Sequence, residues 1–182
     1  KLREDGITPD LVMGDFDSLG ENPTGDNVLT FPKEKDDTDT MLAIKEALRR
    51  GYEKIYISGA VGGRLDHTVA NIQSLIFAVK LGAEAYLCGG EETVTVINSG
   101  SVKFREKPSG RISVFCLSDS ATAVNISGLK YQAVGASLSN MFPIGVSNEF
   151  IGGEASVSLS SGILGIIWDG VPDDITVSPK RD

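Results

Sequence analysis

The sequence predicts an α/β domain over residues 1–92, built on a mostly parallel sheet, followed by an antiparallel β-sandwich over residues 93–182. Three observations lead there. Up to Gly90, short apolar runs alternate with two stretches whose apolar residues recur at helical spacing, the pattern of βαβ units. Beyond Gly90 the helical period disappears, and short β-rich runs follow one another, divided by Gly, Ser, Asn and Pro. No long linker separates the two textures, so the boundary is expected near residues 90–98 with the halves packed together.

The elements follow in order. Residues 1–5 read as a helix end, with Gly6 as its cap and a turn into Pro9. No Met or strand precedes them, so a preceding segment is expected to be missing, and the sheet's first strand with it. Residues 11–13 and 28–31 are short strands, the second closed by Pro32. A helix is expected over 38–50, with Met41, Leu42, Ile44, Ala47 and Leu48 as its stripe and Gly51 as its stop. Residues 54–58 (KIYIS) form a strand. A second helix over 66–81 carries a stripe of Val69, Ile72, Ile76 and Val79 and ends at Gly82. Residues 84–88 are a strand that Gly89-Gly90 closes. The β half is expected to hold strands at 93–97, 101–106, 111–117, 121–126, 154–160 and 163–168.

Composition narrows the function. A net charge of -8 without any basic run argues against a nucleic-acid partner. The longest apolar stretches, such as 163–168, are too short for a helix that spans a bilayer. Cys88 and Cys116 lack metal-ligand spacing and read as buried free thiols of a reducing, cytoplasmic compartment.

Three segments could carry chemistry. In MGDFDSLGE, Asp15 and Asp17 follow a strand at its carboxyl end, where ligands bind in open α/β sheets, and Gly14 permits close backbone approach. The pair is either a solvated acidic turn or a set of oxygen ligands for a hard cation such as Mg²⁺. In KEKDDTDT, Asp36 and Asp39 are expected on one side of a helix's first turn. Capping of free N–H groups accounts for them when taken alone; a second acidic cluster at the same sheet edge could complete a metal site. In SGAVGGRLDHT, Gly59, Gly62 and Gly63 let backbone N–H groups face an anion, Arg64 can bind phosphate, and Asp66 is a candidate helix N-cap. His67, the only histidine, reads as a hydrogen-bonding residue, so no Ser/His/Asp set can be assembled.

Taken together, GDFDS, the Asp-x-Thr-Asp of KDDTD, GGRLDH followed by Asn71, GLKY at 128–131 and GVSNEF at 145–150 resemble bacterial thiamine pyrophosphokinase, in that family's order and over residues 13–150. The resemblance implies an α/β nucleotide domain followed by a β-sandwich that binds thiamine and forms a homodimer. It implies transfer of the pyrophosphoryl group of ATP to the hydroxyethyl oxygen of thiamine, with AMP released and Mg²⁺ required. By the same resemblance Asp15, Asp17 and Asp39 bind Mg²⁺ and orient the attacking hydroxyl. Asp36 and Thr38 belong to the same motif. Gly62, Gly63, Arg64, Asp66 and His67 face the nucleotide. Tyr131 stands where relatives often carry Trp and would stack on thiamine, with Ser147 and Asn148 on the thiamine side. Two other readings stay open: a Mg²⁺-dependent phosphotransferase with another acceptor alcohol, and a non-catalytic thiamine-binding fragment.

Overall fold

The computed structural model describes residues 6–16, 25–32 and 36–179. The chain forms two compact units, Lys1–Glu46 and Ala47–Asp182.

In the first unit, β1 (Val12–Gly14) and β2 (Val28–Thr30) pair in parallel, with Val12 opposite Val28 and Gly14 opposite Thr30. The Phe31 N–H donates to the Gly14 carbonyl at 3.0 Å, which prolongs the ladder past the strand end. Helix α1 (Asp39–Arg49) then begins, its register set by Thr38, whose hydroxyl accepts from the Met41 N–H at 3.2 Å as an N-cap does. Asp36 therefore lies in the bend ahead of the helix and does not share its first turn with Asp39. Ile44 is the fully buried residue of the stripe.

The second unit contains a βαβ step, β3 (Lys54–Ser58), α2 (Leu65–Lys80) and β4 (Glu84–Gly89), with β3 and β4 parallel in register. Gly51 and Gly82 end the two helices in the same way. Each takes a left-handed φ, and the two N–H groups beginning at the glycine return to carbonyls of the last turn. The face of α2 that is fully buried holds Asn71, Ser74, Leu75 and Ala78, while Val69 is half exposed. The expected stripe is thus rotated by about one position. On that line Ser74 and Ala78 permit close approach, and Leu75 supplies the large apolar side chain.

After β4 the ladder turns antiparallel into β5 (Glu92–Lys107), and β10 (Gly153–Asp169) pairs with β5 over nearly its whole length. Strands β6 (Arg111–Cys116), β7 (Ser120–Ser127), β8 (Ala133–Ser139), β9 (Asn148–Glu149) and β11 (Ile175–Ser178) complete a nine-stranded sheet among the described residues. β6 follows the second half of β10, and β7 follows the first. The long ribbon does not run straight. Trp168 pairs with Thr93, and a straight strand would carry residue 104 roughly 36 Å away. Instead the Phe104 and Trp168 rings meet edge to face at 5.6 Å. The ribbon folds over on itself at a register shift between Leu159 and Ile163, where Ser99 and Gly162 both have positive φ. Val102, Phe104, Val124 and Val157 from one half then share a core with Ile112, Val114, Leu164, Ile166 and Trp168 from the other.

Both cysteines are free; Cys116 is buried, and burial pushes the Cys88 thiol up from its ordinary pKa. No helix among the described residues is long and apolar enough to cross a membrane.

Candidate active site

Parallel pairing puts the carboxyl ends of β1 and β2 at one edge, and the acidic residues leave from there. Asp15 follows Gly14 directly and is half buried. Phe16 comes next with φ 58° and a buried ring. A positive φ is rare for an aromatic residue and costs about 1 kcal/mol or more, so burial of the ring is what holds the turn. Asp17 lies outside the described residues. The chain leaving β2 reaches exposed Asp36, the capping Thr38 and exposed Asp39 at the head of α1. No three His, Cys, Asp or Glu side chains gather as a metal-binding group among the described residues, of which Asp17 is not one. Carboxylate oxygens at one strand edge are the donor chemistry that suits a hard cation.

The glycine loop lies between β3 and α2. Gly59, Gly62 and Gly63 have φ of 73°, 88° and 68°, and a Cβ built on any of them would meet no protein atom within 4 Å. These glycines are there for conformation, and the side they present is open. Arg64 stands at the helix N-cap position without a side-chain cap, so Asp66 is not the cap but a first-turn residue. Asp66 receives the Arg64 guanidinium in a two-pronged pair and accepts from the His67 N–H at 2.9 Å. The hydrogen-bonded guanidinium holds the Asp66 carboxyl below the usual carboxylate range, and both groups face solvent.

In the β-rich part the structure draws Tyr131, Ser147 and Asn148 together, although the two segments are far apart in sequence. Asn148 is buried, at 5% exposure. Its Oδ1 accepts from the Tyr131 N–H at 2.9 Å, and its Nδ2 donates to the Tyr131 carbonyl at 2.7 Å. The same Oδ1 accepts from the Glu149 N–H at 2.9 Å. Asn148 therefore clasps the backbone of residue 131 and leaves the Tyr131 ring 62% exposed. Ser147 has φ 61°, and its N–H donates to the Ser113 hydroxyl at 3.1 Å.

Two residues here were missed by sequence reasoning. Lys130 holds its ammonium 5.6 Å from the Tyr131 ring centroid and pairs with Glu149 at 2.7 Å, a bond that raises its pKa. Ser113 has no motif around it; only its place opposite the GVSNEF segment reveals it. The motif glycines are explained by space. A Cβ on Gly128, φ 70°, would lie 2.0 Å from the Glu154 carbonyl oxygen, and one on Gly145 would lie 2.2 Å from that of Val114.

Residues 1–87 match the family described as thiamin pyrophosphokinase, catalytic domain, and residues 101–164 match its vitamin B1 binding domain. The thiamine pyrophosphokinase of Bacillus subtilis (strain 168) is 30% identical over 170 residues, spanning 90% of this chain and 79% of that protein. The crystal structure of a Bacillus subtilis thiamine pyrophosphokinase superposes with a TM-score of 0.81 at 28% identity, covering 92% of this chain and 82% of that one. A thiamin pyrophosphokinase family protein from Enterococcus faecalis gives 0.79 at 29% identity, covering 93% and 84%.

Proposed function

The chain belongs to the thiamine pyrophosphokinase family, and on that premise we propose how its residues divide the transfer of the ATP pyrophosphoryl group to thiamine, which yields thiamine diphosphate and AMP. Residues 1–92 serve the nucleotide, and residues 93–182 serve thiamine and self-association. The observation that most supports this division is the Asn148 clasp on Tyr131, because it joins the two motifs of the thiamine side into one rigid unit.

Thiamine carries a fixed positive charge, and the exposed Tyr131 ring offers it an aromatic face worth about 0.5–2 kcal/mol. Asn148 acts by fixing that ring's backbone, and Ser147 presents its hydroxyl from a turn anchored to Ser113. The open side of Gly62 and Gly63, with Arg64, Asp66 and His67, receives the phosphate chain, where N–H groups and a guanidinium spread negative charge. Asp15, Asp17 and Asp39 are the carboxylates suited to Mg²⁺; Asp36 belongs to the same motif as Asp39, and Thr38 fixes the helix that presents Asp39. Held by those carboxylates, a divalent ion would supply positive charge to offset that of the phosphates. The thiamine hydroxyl oxygen bonds to the β-phosphorus, the bond to the AMP oxygen breaks, and the hydroxyl proton passes to a carboxylate, for which Asp39 is the candidate.

Self-association is proposed through β8 and the loop after it, where Val134, Met141, Phe142 and Ile144 are 91%, 87%, 68% and 65% exposed. A cytoplasmic location accords with two free thiols.

The test is incubation with ATP, Mg²⁺ and thiamine, with AMP and thiamine diphosphate as readouts, for the wild type and Asp17→Ala. The proposal expects AMP from the wild type and none from the variant, with unchanged melting. In parallel incubations with other acceptor alcohols, turnover there and none with thiamine would indicate a phosphotransferase for another acceptor, ADP in place of AMP would indicate transfer of a single phosphoryl group, and thiamine binding without AMP would indicate a binding fragment.

A further inference from the structure

The glycine loop is held from two sides by residues that contact no reacting atom, and we infer that Asn71 and Gly89 are positioning residues for nucleotide binding. The inference rests on the reading of residues 59–64 as the phosphate-facing loop. Three of those residues adopt left-handed φ, and outside the helix cap the loop has no ladder of its own to fix it. A loop of this kind binds an anion well only if its N–H groups already point the right way, since ordering them on binding costs affinity.

The first hold comes from α2. Asn71 lies on the buried face, 7% exposed, and its Nδ2 donates to the Ala60 carbonyl at 2.8 Å. The bond satisfies a carbonyl inside the loop and fixes the peptide that joins Ala60 to Val61. The second hold comes from β4. Val61 lies over Gly89 so closely that a Cβ on Gly89 would fall 3.0 Å from the Val61 Cβ, and 3.2 and 3.4 Å from its two methyls. Gly89 has no left-handed φ, so absence of a side chain, and not backbone freedom, is what this position supplies. Ala60 and Val61 are thus pinned from opposite elements, immediately ahead of Gly62 and Gly63. Displacing either pin moves the N–H groups that follow while leaving Arg64 and Asp66 chemically intact.

The experiment compares the wild type with Asn71→Asp, which keeps the shape but loses the donor, and Gly89→Ala, which pushes on Val61. Amide hydrogen exchange over residues 59–65, read without ligand, reports the pins directly. Affinity for ATP and the KM for thiamine then report the consequence. Expected are exchange and ATP dissociation constants each raised about tenfold, the effect of losing one buried hydrogen bond, with the thiamine KM changed less than about twofold. Folded variants with unchanged exchange would overturn the inference, as would raised exchange with unchanged ATP affinity. Equal losses for ATP and thiamine would overturn it too, by marking a general structural role. A wild type that fails to bind ATP would instead remove the functional reading beneath it, an outcome visible without either variant.

Discussion

Replacing Asn148 by Ala tests the clasp on Tyr131 in a way that separates fold from chemistry. The side chain makes three hydrogen bonds to backbone groups, at 2.9, 2.7 and 2.9 Å, from a position that is 5% exposed. Each such bond contributes about 1 kcal/mol net, and the loss rises where a backbone group stays buried without a partner. Because the three share one side chain, the expected destabilisation is about 2–3 kcal/mol. For a chain of this size each kcal/mol moves Tm by about 2–4 °C, so calorimetry should find Tm lowered by about 5–10 °C. Asn148→Asp retains both acceptor contacts and loses the donor to the Tyr131 carbonyl, and should fall between the two. Thiamine titrations well below the new Tm should show weaker binding, because residue 131 is no longer fixed. An Asn148→Ala protein that melts within a degree or so of the wild type and binds thiamine equally well would refute the argument.

Other outcomes follow from the same geometry. Tyr131→Ala should weaken thiamine binding about 2–30-fold, the range of a cation over an aromatic face, without lowering Tm; unchanged affinity would remove the ring from the site. If Asn148 acts on thiamine only through Tyr131, the double variant should bind thiamine no more weakly than Tyr131→Ala, whereas additive losses would give Asn148 a contact of its own. Gly128→Ala should cost more than about 3 kcal/mol, since a left-handed φ is combined with a clash against the Glu154 carbonyl, while Gly135→Ala, with similar φ and open space, should cost about 1–2; equal losses would refute the steric reading. Asp169 accepts from the Arg111 N–H at 2.8 Å and from its guanidinium, which hold its carboxyl below the usual range. Its contribution is full above the unfolded carboxylate pKa of about 3.9 and disappears as pH falls through the lowered value. The stability gap between the wild type and Asp169→Asn should therefore close in acid, and a gap that stays constant there would contradict the pairing.

What was legible in the sequence was local. Both helices were expected within about one residue of their ends, because apolar period, Thr38 and the stopping glycines all act within one or two turns. The strand 54–58 was also read as it stands. Elsewhere the signals misled for identifiable reasons. Ser99-Gly100 and Ser161-Gly162 read as turns, yet positive φ there makes a bulge through which the ladder continues, so two expected pairs of strands are the single strands β5 and β10. Strand β8 escaped because its outward side chains are small or polar and Val134 faces outward at 91% exposure, which leaves no alternation to detect. Of the site, the segments were visible, but the Asn148–Tyr131 clasp and the Val61–Gly89 contact depend on distant elements meeting, which no local pattern encodes.

That difference changes how the motifs are read. In GLKY, Gly128 is required by the approach of the Glu154 backbone, and fully buried Leu129 bridges to Phe150, a residue of the second motif. In GVSNEF, Gly145 accommodates Val114, Asn148 clasps residue 131, and Phe150 packs against Phe104 at 5.2 Å. Half the letters of both motifs therefore serve one another, and Lys130, Tyr131, Val146, Ser147 and Glu149 face outward with side chains able to meet a ligand. Lys130 is already paired to Glu149 and sits beside the Tyr131 ring, so a cationic ligand that stacks there must displace or share that ammonium. The two motifs are thus better described as one folded platform with a short list of exposed groups than as a row of binding residues, and substitutions within them should divide accordingly into those that lower Tm and those that change affinity alone.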